Sequence, residues 1–138
     1  MRRPASAVFA GAAVAIVCSG CGGSGIPDDQ LAIATYPGDG SDGNQALLEA
    51  TLAVQDDCVY AQGVHEPQLW LPIFPADVSR FSGGQLTVGG ATYSDGDPIA
   101  LGGGVRSEAG EQESADLSFA RIPEACDASV GTWLVTLT

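Results

Sequence analysis

The chain has 138 residues, 45% of them hydrophobic and 16% charged, which fits one small globular unit. Its 19 Gly and 8 Pro favour a turn-rich architecture over a helical bundle. Seventeen acids face five basic residues, all Arg, for a formal net charge of −12. That balance excludes nucleic acid as a partner, because phosphate neutralisation needs clustered Lys or Arg, and the absence of Lys excludes Schiff-base chemistry.

Met1-Arg2-Arg3, the apolar run Ala7 to Val17 and the small residues Cys18-Ser19-Gly20-Cys21 follow the charged, apolar, small-residue order of a secretory signal. The run is about half the roughly 20 residues that a membrane-spanning helix needs. Ser19-Gly20-Cys21 resembles the lipobox of bacterial lipoproteins, in which the Cys after a small residue is acylated and becomes the first residue of the mature chain. Cys18 departs from that pattern, since an aliphatic residue is usual at its position. The resemblance implies a signal over residues 1–20, lipidation of Cys21 and a lipid-anchored domain on the extracytoplasmic face of the cell membrane. The alternative is ordinary secretion with cleavage near Ala15. Loss of residues 1–20 takes Arg2 and Arg3 but no acid, and leaves Arg80, Arg106 and Arg121 against all seventeen acids. Such a domain is repelled by anionic lipid, so its acyl chains must hold it there unaided.

Residues 21–44 read as a lipidated Cys followed by a flexible linker: Gly22-Gly23-Ser24-Gly25, then an acid- and glycine-rich stretch without apolar periodicity. The folded domain is expected over 45–138. Leu48, Ala50, Leu52 and Val54 alternate with Glu49, Thr51 and Ala53, which predicts a half-buried strand. Gln55-Asp56-Asp57 predicts a turn and Cys58 to Ala61 a second strand. Gln68 to Phe74 is apolar on both faces, with Pro72 demanding an edge or a bulge. Short strands are expected at Gln85 to Val88 and Pro98 to Leu101, the latter ended or bent by Gly102-Gly103-Gly104. Ser107 to Ser114 reads as an exposed acidic loop, and Leu117, Phe119 and Arg121 as a further alternating strand. Pro123 to Ala128 suits one helical turn. Trp133, Val135 and Leu137 share one face of a C-terminal strand.

This pattern predicts an all-β fold, a small antiparallel barrel (OB-like) or a sandwich, with a disordered N-terminal leader. Cys18 leaves with the signal and Cys21 takes the lipid, so Cys58 and Cys126 remain for one disulfide. Closing a loop of about 70 residues stabilises by ~4 kcal/mol in the chain-entropy account. The runs Asp57-Cys58-Val59-Tyr60, Trp70 to Pro75, Gly96-Asp97, Leu101 to Gly104 and Ile122 to Cys126 are similar to small exported domains of high-GC Gram-positive bacteria. That resemblance implies a fold and carries no activity with it.

Chemistry is sparsely marked. His65 is the only His, and Glu66 follows it. HExxH, GxSxG, P-loop and strand–GxGxxG–helix patterns are absent, and no cofactor is implied. Asp39 to Asn44 and Asp95-Gly96-Asp97 carry oxygen ligands of the kind Ca²⁺ takes, but Asp-Gly is first of all turn chemistry and no metal site is assigned. Tyr60, Trp70 and Phe74, with Tyr93, mark a candidate binding surface. The expectation is a non-catalytic binding or accessory module for an envelope protein, a wall component or a small ligand. The rival readings are an envelope hydrolase using carboxylates or His65, and a structural surface domain without a dedicated ligand.

Overall fold

Asp56 and Asp57 both adopt positive φ, at 49° and 63°, and so form the two-residue turn whose twist matches a β-hairpin. They join β2 (Ala46–Gln55) to β3 (Cys58–Gly63), with Gln55 opposite Cys58. The computed structural model describes residues 27–41, 43, 45–111 and 116–137. The signal, Cys21, and the acids Asp42 and Glu113 lie outside them.

Strand β3 pairs antiparallel with β4 (Leu69–Pro75), and β2 pairs on its other edge with β8 (Pro98–Ser107). Strand β9 (Thr132–Val135) closes the circle, antiparallel to β8 and parallel to β4. The five strands β2, β3, β4, β9 and β8 thereby form a closed barrel, a meander of three followed by two that cross over, which is an OB-like connectivity. The small OB-like barrel is as expected, and two pairings of its sheet depart from antiparallel: β4 runs parallel to β9 and also to the short β1 (Ala34–Tyr36). Pro72 sits where β4 passes from β3, which pairs through Trp70, to β1, which pairs from Ile73. Its missing N–H falls in that gap and costs no ladder bond.

Alternation assigns each strand residue to one of two cores. Ala50, Leu52, Val59, Ala61, Trp70, Phe74, Ile99, Leu101, Trp133 and Val135 fill the barrel. A separate three-stranded sheet, β5 (Ser79–Ser82), β6 (Gln85–Val88) and β7 (Ala91–Ser94), adds Leu86 and Val88 to that core and plugs one end. Gly83-Gly84 and Gly89-Gly90 turn this meander with positive φ throughout, as two-residue hairpin turns require.

Three further expectations change. The domain begins well before Gln45: Ile33 and Ala34 are fully buried, and the stretch expected to be linker supplies β1. Gly102-Gly103-Gly104 does not end its strand, because β8 runs on to Ser107 with an irregularity between Val105 and Ser107. A Cβ on Gly103 would overlap the Leu134 carbonyl oxygen, so the glycine permits the β8–β9 seam to close. Leu117, Phe119 and Arg121 form no strand. Arg121 alone makes a bridge, to Thr35, and residues 116–130 run instead as an irregular strap over the outside of β3 and β4.

The strap covers the second core. Ala34, Cys58, Tyr60, Leu71 and Ile73 point outward from the barrel and are buried beneath Leu117, Phe119, Ile122, Ala128 and Val130. The expected disulfide is present: Cys58 on β3 is joined to Cys126 in the strap, with Cα atoms 5.2 Å apart. The Asp127 N–H also donates to Tyr60 Oη at 2.9 Å. The strap's own bends are made by one device used twice. Asp116 accepts from Ser118 and Asp127 from Ser129, through both the backbone N–H and the hydroxyl of each serine. Those bonds, chiefly the one from the serine side chain, hold both carboxyls below the ordinary Asp range.

Candidate functional site at the barrel mouth

The end of the barrel away from the three-stranded plug is left uncovered by the described residues. Here β2, β4 and β9 begin, and β3 and β8 end. A groove of about 340 Å³ lies across it, with Leu48, Trp70 and Trp133 along the base and Leu47, Val105, Glu49, His65, Glu66 and Glu108 around it.

The base is rigid. Trp70 and Trp133 meet edge to face with ring centroids 5.9 Å apart. The Trp133 indole N–H donates to the Gly102 carbonyl at 3.3 Å, which fixes its ring. Behind it, the Ser107 and Thr132 hydroxyls share a buried 2.6 Å bond across the β8–β9 seam. The 64–68 loop is tied down by bonds from Gly63 N–H to Gln68 O, from Val64 N–H to Glu49 O, and from Gln68 Nε2 to Val130 O.

The rim is acidic and wet. Glu49 leaves the outer face of β2, Glu66 sits on the 64–68 loop, and Glu108 follows β8. His65 Nε2 contacts Glu49 Oε2, with 75% and 56% of the two side chains exposed. No arginine lines the groove. Leu47 and Val105 are 62% and 47% exposed, unusual for side chains of that kind on strands.

The structure regroups the candidate residues. Tyr60, Trp70 and Phe74 do not form an exposed surface: they are 5%, 6% and 0% exposed, and period-two alternation sends Tyr60 under the strap and the other two into the barrel. Trp70 nonetheless reaches the groove base, beneath the rim that carries His65 and Glu66. Sequence reading missed Trp133, Leu47, Glu49, Val105 and Glu108 as groove residues. They come from three strands and a loop that only barrel closure brings together. Both acidic turns serve the backbone: Asp95 Oδ1 accepts from Val54 N–H, Asp97 Oδ2 from Ser94 N–H, and Asp39 Oδ1 from Ser41 N–H. Among the described residues no group of three or more His, Cys, Asp or Glu is placed to hold a metal ion.

Comparison with known protein families, with curated proteins and with solved structures finds no match to this chain.

The groove joins an apolar floor, exposed aliphatic shoulders and carboxylates in a concave site of fixed shape. That arrangement suits recognition. The His65–Glu49 pair lies in solvent, where the attraction between its members is screened.

Proposed function

We propose that this protein is a cell-envelope lipoprotein whose domain is a non-catalytic binding module, presenting the barrel mouth to an envelope protein, a wall component or a small ligand. The observation that carries the binding role is the mouth groove itself, where exposed Leu47 and Val105 flank a rigid two-tryptophan floor. The anchor rests on the sequence alone, on the order Arg2-Arg3, apolar run, Ser19-Gly20-Cys21. No helix among the described residues is long and apolar enough to cross a membrane.

Photo-crosslinking in intact cells tests the binding role. A probe at Leu47 is expected to capture one discrete species that a probe at Gln55, at the far end of β2, does not, and Val105→Asp is expected to abolish that capture. Equal labelling from both positions, or capture untouched by Val105→Asp, would remove the mouth as the binding surface. Cys21→Ser is expected to release the protein from the membrane fraction and to end incorporation of labelled fatty acid. Retention with undiminished label would overturn the anchor.

A hydrolase reading has one observation in its favour, the convergence of His65, Glu49, Glu66 and Glu108 on one groove. It requires His65→Ala to abolish turnover of a wall-derived substrate. The binding reading expects His65→Ala to leave ligand capture within about threefold, as for other solvated rim pairs.

A further inference from the structure

The strap carries a guanidinium without an acidic partner among the described residues. Arg121 is anchored by two backbone bonds to Thr35, its carbonyl accepting at 3.0 Å and its N–H donating at 2.7 Å. Its side chain turns back over the N-terminal segment, where Nη2 donates to the Gln30 carbonyl, Gln30 Oε1 and Thr35 Oγ1, each at a long 3.3 Å. Those acceptors are neutral. Nε is buried and has no acceptor, and no carboxylate of the described residues forms an ion pair with Arg121. In a chain with seventeen acids and five arginines, a half-buried guanidinium without a counter-charge among the described residues is the feature that needs an explanation.

Beside it lies a cleft of about 600 Å³, lined by Leu31, Arg121, Ile122, Pro123, Glu124 and Ala125. Its walls are mostly apolar, and Leu31 stands 52% exposed at its edge. We propose that Arg121 and this cleft bind a monocarboxylate carried on an apolar chain, the head group pairing with the guanidinium and the tail lying against Leu31, Ile122 and Pro123. Three properties select that class. The planar guanidinium matches a carboxylate in shape and charge. The apolar walls gain from covering by hydrocarbon. Glu124 at the cleft disfavours a doubly charged phosphate more than a singly charged acid. The cleft shares no residue with the barrel mouth, so this inference stands apart from the binding role proposed there.

The test is a titration of the ¹⁵N-labelled full chain, read at the Arg121 side-chain Nε–Hε resonance. Octanoate is expected to shift that resonance saturably, with octanamide and octylammonium at least tenfold weaker. Leu31→Asp, which sets a second carboxylate in the cleft while sparing the Arg121 clamp, is expected to weaken octanoate at least tenfold with an unchanged thermal midpoint. Acetyl-leucyl-leucine and its amide identify the source: a stronger response to this acid than to octanoate points to a peptide terminus, the reverse to a free acid, and either supports the site. Equal responses to octanoate and octanamide would reduce the cleft to an apolar patch and overturn the proposal. A response to octanoate undiminished in Leu31→Asp would place binding elsewhere and overturn it as well. Arg121→Gln serves as a second variant if its circular dichroism matches the parent, and is expected to lose the discrimination between acid and amide.

Discussion

Two regions built from the same strands have opposite fates. On the outer face of β3 and β4, Tyr60, Leu71 and Ile73 are sealed by residues 116–130 of the chain itself, fastened by Cys58–Cys126 and by the Tyr60 hydroxyl. At the mouth, one residue away along β4, Trp70 meets Trp133 beneath a rim of glutamates, and nothing in the described chain crosses over. The covered face is where an OB-like barrel offers its strands to ligands. Here that face is spent on stability, and two of the exposed aliphatic side chains, Leu47 and Val105, stand instead around the open end. Burial in a small domain marks structure, and uncompensated exposure marks the place to look for function.

The sharpest way to break the covered region is to cut its fastening. Replacing both Cys58 and Cys126 with Ser is expected to cost ~4 kcal/mol by chain entropy, read as a fall in the denaturant midpoint. Hydrogen exchange is expected to rise first across 116–130 while the mouth residues Trp70 and Trp133 stay protected. Exchange rising equally in both regions would mean that strap and barrel form a single cooperative unit. Gly103→Ala comes next, at about 3 kcal/mol or more, because φ of 138° and the Leu134 carbonyl leave no room for a Cβ. It attacks the β8–β9 seam that both regions share, so both are expected to loosen together.

How much of this was legible in the sequence follows from the range over which each feature is specified. Strands β2, β3, β4 and β6 announce themselves through local alternation or flanking turn residues, and the disulfide through the count of cysteines. Strand β1 has three residues within a Gly- and Asp-rich stretch, too few for a period to show, and exists because β4 offers an edge. Strands β5 and β7 are short and polar, Ser-Arg-Phe-Ser and Ala-Thr-Tyr-Ser, and are held by pairing to β6. The strap imitates a strand because Leu117 and Phe119 face the second core while Ser118 turns back to Asp116, an alternation produced by a bend instead of a ladder. The groove was the least legible part, since its lining comes from β2, β3, β4, β8, β9 and their loops, and only closure brings those residues together.

Smaller changes separate the two regions more finely. Tyr60→Phe keeps the ring under the strap and removes the acceptor for the Asp127 N–H, at an expected cost of about 1 kcal/mol. Val105→Asp at the mouth, by contrast, is expected to shift stability by no more than about 0.5 kcal/mol while abolishing capture at Leu47, as for a surface substitution away from the core. A loss at Val105→Asp comparable with that of Tyr60→Phe would mean that the mouth, too, is a structural surface, and would favour a domain without a dedicated ligand.

The smallest effect distinguishes the regions by acid. The Asp116 and Asp127 carboxyls are held below their usual value by bonds from Ser118 and Ser129, bonds made to the charged form. A carboxyl with a lowered folded-state value binds its proton more readily in the unfolded chain, so its contribution to stability is complete above the ordinary Asp range. It is lost as the pH falls through the lowered value. The strap is therefore expected to loosen below about pH 4, seen as lower protection of the Ser118 and Ser129 amides relative to their intrinsic exchange rates at each pH. Asp127→Asn keeps an oxygen acceptor for Ser129 and removes the titration, so the protection of its Ser129 amide is expected to change less between pH 5 and pH 3 than that of the parent. Asp39, lowered in the same way by Ser41 but placed outside the strap, supplies the control: Asp39→Asn is expected to leave the acid response of Ser129 intact. If Asp39→Asn and Asp127→Asn flatten that response equally, acid acts on the domain as a whole and the strap has no separate stability of its own.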